Sequence, residues 1–288
     1  MRPTPPPRLA IILARESPRA VILRRGPSKR VELVLWHTEK DRFEAGQWFT
    51  GRIYEHRCDL SPNGELFVYF ASKFNSRTTT DQEYTYAWTA VSRPPYLTAL
   101  ALWPKGDCWW GGGLFETNHA LLLNHRPAEA VPHPAHVPTQ IRVTPREDAH
   151  GEDDPLYSMR LERDGWSLRQ EWHTEFHGLQ GGYETLAPEI RERPHPNGRL
   201  RITLTRRLDN LRYSEHFTVE GPHGEVPVAL RRTSWLDWDH RGRLVALARG
   251  GIWAARVRGS AVGEFSRVAD LTNHHFEARP TPQWAQEW

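Results

Sequence analysis

Short runs in which apolar and polar residues alternate, separated by polar reversals, cover most of the chain. Three of the reversals share one design: Leu60-Ser61-Pro62-Asn63-Gly64-Glu65-Leu66, His195-Pro196-Asn197-Gly198-Arg199-Leu200 and Asp239-His240-Arg241-Gly242-Arg243-Leu244. Each is followed by a strand-like run, Phe67-Val68-Tyr69-Phe70, Arg201-Ile202-Thr203-Leu204 and Val245-Ala246-Leu247. A glycine-containing polar turn between two period-2 runs predicts a hairpin. Glu116-Thr117-Asn118-His119-Ala120-Leu121 is a degenerate fourth copy. Recurrence of one supersecondary unit predicts a repeat architecture.

Taking each hairpin as the start of a four-stranded unit predicts strands at 52–59, 65–72, 84–91 and 97–103 in one unit. The next unit takes 110–117, 120–125, 157–163 and 166–173, with Asp164-Gly165 as a two-residue hairpin turn and a loop insertion at 127–155. A third runs through 184–193, 199–207, 211–219 and 226–232, and a fourth through 233–238, 243–248, 252–258 and 265–271. Three N-terminal strands (9–14, 20–25, 31–37) and one C-terminal strand within 276–284 remain. Together they make a fifth unit. The expected fold is all-β: a single five-bladed β-propeller over residues 1–288, its ring closed by pairing of N-terminal strands with a C-terminal strand, which removes exposed sheet edges.

The window Leu60-Ser61-Pro62-Asn63-Gly64-Glu65-Leu66-Phe67-Val68-Tyr69 resembles the turn between inner strands in TolB-like and WD-repeat propellers, and Trp235-Leu236-Asp237-Trp238-Asp239-His240-Arg241-Gly242-Arg243-Leu244 is similar to it. The resemblance covers four short windows. Regularly spaced Gly-His and Trp-Asp markers of the WD family are missing, so the likeness implies architecture and no activity.

Composition agrees with short strands and many turns. The 288 residues include 13 Trp and 23 Pro, so aromatics do much of the core-filling. Net charge is +3, with lysine only at positions 29, 40, 73 and 105. The segment 1–30 is more strongly basic: Arg2, Arg8, Arg15, Arg19, Arg24, Arg25, Lys29 and Arg30 face only Glu16, a pattern that would attract phosphate or an acidic partner and leaves nucleic acid as a weakly supported one. No run approaches the roughly 18 apolar residues that span a bilayer, and no leader precedes the first charges; the expectation is a soluble, cytoplasmic protein without membrane contact. Cys58 and Cys108 form no disulfide framework and read as free thiols.

Chemistry is thinly signalled. The chain has no Gly-x-Ser-x-Gly elbow, no His-Glu-x-x-His and no Cys-x-x-Cys. Five-bladed propellers include glycosidases that work with a carboxylate pair, and the residues to watch for one are Glu55, Glu116, Glu184, Asp237 and Glu277, with Asp59 and Glu189 beside them. His56, His195, His240, His274 and His275 raise the question of a metal, but adjacent strand histidines point to opposite faces and none is expected. Trp109-Trp110-Gly111-Gly112-Gly113, with Lys105 nearby, is either an anion cradle or a sharp turn packed by tryptophans. The expected function is a non-catalytic protein-interaction module of a bacterial cytoplasmic system with no cofactor. Its partner surface is predicted at Trp48, Trp103, Trp109, Trp110, Pro132 and Pro134, where exposed aromatics and an extended proline-rich segment favour docking. The alternative is a channel-centred enzyme or small-ligand binder.

Overall fold

The computed structural model describes residues 5–26, 29–75, 83–148, 153–176, 183–209 and 212–288. The chain is all-β, with small sheets in the arrangement of a five-bladed β-propeller. The first sheet is an antiparallel meander of Arg8–Leu13, Arg19–Arg25, Arg30–His37 and Arg42–Thr50. In the second, Arg52–Ile53 and Asp59–Leu60 both pair with Phe67–Ser72, followed by Ala87–Ser92 and Ala101–Pro104. The third joins Gly113–Thr117, Ala120–Leu123 and, in parallel, Arg142–Pro145. The fourth runs Ser167–Gln170, Glu189–Pro194, Arg201–Asp209, Arg212–Gly221 and Gly224–Glu225, and the fifth Thr233–Trp238, Leu244–Ala248, Gly251–Ala255 and Ser266–Asp270.

The repeated turn folds the same way each time. The glycine at its fourth position donates its N–H to the first residue's carbonyl at 2.8 Å: Gly64 to Ser61, Gly198 to His195 and Gly242 to Asp239. All three glycines have positive φ, 73°, 71° and 65°, where a Cβ would be strained. The first residue locks the turn with whatever acceptor it owns. Ser61 Oγ takes the N–H of Glu65 and Leu66, His195 Nδ1 that of Asn197, and Asp239 Oδ1 those of Arg241 and Arg243.

By compactness the chain divides into two units, 1–160 with 273–288, and 161–272. The first holds sheets one to three. Its central strand, Phe67–Ser72, is buried on both faces: Phe67, Tyr69 and Ala71 pack with Ile12, Val21, Leu33 and Ile53 of one cluster, while Val68 packs with Val91, Trp103, Phe115 and Leu121 of another. Period-2 alternation thus feeds two cores at once. The turns of this unit also interlock. Ser17 Oγ donates to Asn63 O (2.8 Å), Asn63 N–H to Asn118 Oδ1 (2.8 Å), and the Arg15 guanidinium reaches from the first sheet to the Phe115 and Glu116 carbonyls of the third. In the second unit, sheets four and five are linked likewise, His195 Nε2–H donating to Gly242 O at 2.9 Å.

Three expectations are corrected. The fourth strand of the first sheet is Arg42–Thr50, from the Arg30–Thr50 pair to the His37–Arg42 pair, and not a C-terminal strand. Residues 276–284 form no strand; Pro280 and Pro282 remove ladder donors, and the segment lies on the first unit as a strap. It is held by Gln47, whose amide donates to Arg279 O (3.0 Å) and Thr281 Oγ1 (2.7 Å), and by the Trp288 indole N–H on Leu100 O (3.2 Å). Second, Leu156–Arg163 is a helix: Asp154 receives the backbone N–H and hydroxyl of Ser158, and Leu156, Tyr157, Arg160 and Leu161 are buried at helical spacing. Ser167–Gln170 accordingly joins the fourth sheet, and His173–Phe176 pairs with Tyr183–Ala187 in a separate ribbon. Third, residues 127–148 of the segment read as a loop insertion are built into the fold. His133 N–H donates to Leu102 O (2.8 Å), Leu102 N–H to His136 O (3.1 Å), Ile141 is in the core, and 142–145 is the third sheet's parallel strand.

Candidate interaction surface

Several exposed aromatic side chains of the first unit lie on connections between its strands, while Phe276 and Trp284 lie on the C-terminal strap. Phe74 and Tyr84 follow strand Phe67–Ser72 and precede Ala87–Ser92, while Trp109 sits between Ala101–Pro104 and Gly113–Thr117. Phe74 is 63% exposed and Trp109 58%. The rings pair off: Phe74 against Tyr86 with centroids 4.7 Å apart, and Tyr84 stacked on His133 at 4.2 Å, with His136 5.3 Å from His133. His133 Nδ1 accepts the Ala135 N–H, so its Nε2 carries the proton and donates to Glu83 (3.0 Å).

Beneath these rings the scaffold is rigid. Arg57, 1% exposed, donates Nη1 to the carbonyls of Cys108 (2.7 Å) and Trp110 (2.6 Å) and Nε to Asp153 (2.9 Å), while its guanidinium lies over Tyr54 and Phe70. Two cations lie against the Trp110 ring, Lys105 at 5.0 Å and Arg126 at 4.1 Å from its centre. Lys105 is itself clamped by Asp107 (3.0 Å) and Glu129 (2.7 Å). Below lies a neutral relay. Thr89 Oγ1 accepts the Gly112 N–H and donates to His125 Nε2 (2.8 Å), and burial brings the His125 imidazole down to about 4, so it stays uncharged.

Two residues here have left-handed backbones that only glycine adopts freely: Trp110 at φ 56° and the β-branched Thr85 at φ 57°. Strain at an exposed aromatic cluster is a pointer to function.

The glycines of Trp109-Trp110-Gly111-Gly112-Gly113 are no anion cradle. The Gly111 N–H donates to Asn124 O (2.9 Å) and the Gly112 N–H to Thr89, while Gly113 pairs with Leu123 in the sheet. They serve close approach: a Cβ at Gly111 would lie 2.3 Å from Phe70 and one at Gly112 2.0 Å from the Arg57 carbonyl.

The residues marked for a partner surface are dispersed by burial. Trp103 is in the core, and Trp48 is half-buried with Arg24 and Phe276 against its ring. Pro132 is half-buried, and Pro134 and Trp109 are exposed. Phe74, Tyr84 and Tyr86 lie in a stretch of sequence with no repeat signature to mark it.

The marked carboxylates have separate lives. In the first unit, half-buried Glu55 sits in a 3-10 turn whose carbonyl takes Arg160, Glu116 is exposed on a hairpin, and Glu277 is exposed and paired with Arg279. Asp59 is buried, accepting the Phe115 N–H at 2.7 Å. In the second, Glu184 is exposed, Glu189 is buried between Arg191 and Arg206, and Asp237 is buried against Arg193. Burial pushes the Asp237 carboxyl up to about 6, with Asp164 adding to the rise while Arg193 and the Trp238 N–H oppose it.

Of the basic segment, Arg15 is spent on carbonyls, Arg24 is buried near Glu32, and Arg30 stacks on Phe276. An open cavity of about 410 Å³ lies at the turn end of the first unit, lined by charges of both signs, among them Arg19, Lys40, Arg42, Glu39 and Glu65. Among the described residues no cluster of three or more His, Cys, Asp or Glu is placed to hold a metal, and no helix is long and apolar enough to cross a membrane. Cys58 and Cys108 are free thiols. No family model matches the chain, and comparison with curated proteins finds no match.

Proposed function

We propose that this chain is a non-catalytic protein-interaction module, a propeller of TolB-like or WD-repeat-like design working in a bacterial cytoplasm. Its partner docks on the aromatic end of the first unit. One observation carries the reading: Trp109, Phe74 and Tyr84 are exposed, with half-buried Tyr86 packed against Phe74, beside a base in which Arg57 binds the Cys108 and Trp110 carbonyls and two cations lie against the Trp110 ring. Rigid exposed aromatics lose little entropy on docking and are the side chains that dominate interface energetics. Of the carboxylates weighed for catalysis, by contrast, Asp237, Glu189 and Glu277 are engaged by arginines.

The test is a paired capture and stability measurement on wild type and the Phe74→Ala/Trp109→Ala variant. A partner that elutes stoichiometrically with wild type should bind the variant at least about tenfold more weakly. The melting temperature should stay within about 2 °C, since both side chains are mostly exposed. Undiminished capture by a stable variant would overturn the reading.

A further inference from the structure

Residues 273–288 cross the first unit outside any strand, and little burial holds them there. Ala285 is the one buried residue of the stretch, while Phe276 is 50% exposed and Trp284 58%. What the stretch touches is, by contrast, built in advance. Gln47 is fixed by the body of the unit: its N–H donates to Pro95 O (3.0 Å) and its side-chain Oε1 accepts the Leu97 N–H (2.8 Å). Its amide NH2 is thereby left for Arg279 O and Thr281 Oγ1. Glu32, with its side chain only 2% exposed, sits in strand Arg30–His37 with buried Arg24 4.0 Å away, and it accepts the His274 Nδ1–H at 2.8 Å. Trp48 and Tyr96 offer rings to Phe276 and Trp284, with centroids 6.2 and 5.6 Å apart. Pro282, at φ −67° and ψ 157°, keeps the stretch extended.

A prebuilt track occupied by a segment that buries almost nothing has the form of a receptor holding a displaceable ligand. Lifting the segment breaks exposed hydrogen bonds and few apolar contacts, so it belongs to the low-energy end of local opening. It also bares the Glu32 carboxylate, which then calls for a cation from the next occupant. We propose that Glu32, Gln47, Trp48 and Tyr96 form a second recognition surface, beyond the aromatic end, for an extended proline-containing segment of a protein partner, and that residues 273–288 occupy it as a resident competitor. The strap is the template for that ligand: a basic side chain for Glu32, an aromatic two positions later for Trp48, and a Thr-Pro step for Gln47. Prolines lower the ordering cost of such a segment. Because the competitor is tethered, an incoming peptide sees only the open fraction, and its apparent affinity scales with that fraction.

The experiment measures fluorescence anisotropy of a labelled synthetic peptide with the sequence of residues 273–288, added to the full-length wild type and to full-length His274→Ala/Trp284→Ala. That variant loosens the strap and leaves the track intact, so it should bind the peptide at least about tenfold more tightly than wild type. A peptide carrying His274→Glu and Thr281→Val sets a carboxylate against Glu32 and removes an acceptor from Gln47; it should bind the loosened chain at least about tenfold more weakly. In wild type, the amides of 273–288 should exchange with solvent well before those of strand Phe67–Ser72. Equal peptide binding by wild type and the loosened chain overturns the proposal, as does equal binding of the two peptides. So does exchange of 273–288 as slow as that of the strand, or global unfolding of the loosened chain, which would make the strap purely structural. A loosened chain that dimerises without taking up peptide would assign the track to a second copy and overturn it too. None of these results bears on capture through Trp109, so the two readings fail separately.

Discussion

Asp153 of the first unit and Asp237 of the second are both carboxylates set against a well-packed arginine, yet their protons are held oppositely. Burial works against ionisation at Asp153, but His56 at 3.5 Å and Arg57 at 2.9 Å outweigh it and hold the carboxyl well below the usual range. Asp237 has a single cation, Arg193, a second carboxylate nearby in Asp164, and a side chain 10% exposed against 22% for Asp153. What decides the sign is the count of charges around the pair and the depth of the pocket, not the presence of an Asp–Arg contact. The first pair is an anchor at neutral pH and the second is under tension there.

The comparison breaks most visibly at the arginines. Arg57→Ala removes a buried guanidinium that serves Asp153 and two carbonyls, and should cost about 3–5 kcal/mol in chemical denaturation. Gly112→Ala strikes the same hub from its other side. A Cβ there meets the Arg57 carbonyl at a φ of +82°, and the expected loss is about 3 kcal/mol. Arg193→Ala should cost less, about 1–2 kcal/mol at neutral pH, because Asp237 can take up a proton once its cation is gone. An Arg193→Ala loss equal to that of Arg57→Ala would erase the distinction.

The finest discrimination comes from the pH dependence of the urea midpoint. Asp153, with a lowered proton affinity, contributes stability above the ordinary carboxylate pKa and loses it as pH falls through the acidic range. Asp237, raised to about 6, contributes most below about pH 4 and loses that contribution as pH rises through 6. Asp237→Asn should therefore flatten the decline between about pH 4 and 6 while changing stability by less than about 1 kcal/mol near pH 5. An unchanged slope would place the titration elsewhere.

Much of the architecture was legible because turn chemistry is local. The Asn63-Gly64 and Asn197-Gly198 turns announce themselves through residues that tolerate positive φ, and the runs beside them alternate cleanly. Strand Arg42–Thr50 was hidden because its ladder carries a register shift opposite Glu32 and Val34, and Gly46, needed for close approach to Pro95, interrupts the apolar pattern. The helix Leu156–Arg163 was missed for the opposite reason: eight residues with apolar positions at 156, 157, 159 and 161 fit either period, and the deciding signal was Asp154 ahead of Ser158. Of the surface, Trp109 was legible as an unusual string. The burial of Trp103 and the pairing of Tyr84 with His133 depend on contacts across dozens of residues that no local pattern encodes.

The connectivity of the two units bears on how the protein is made. Residues 273–288 belong to the first unit, and the whole second unit is synthesised between its main body and this strap. A ribosome releasing the chain from its N-terminus exposes Gln47, Leu100 and the buried carboxylate of Glu32 long before Thr281, Trp288 and His274 arrive to cover them. The first three sheets must therefore survive as a partial structure while 161–272 folds, and the strap acts as a late latch on a body already formed.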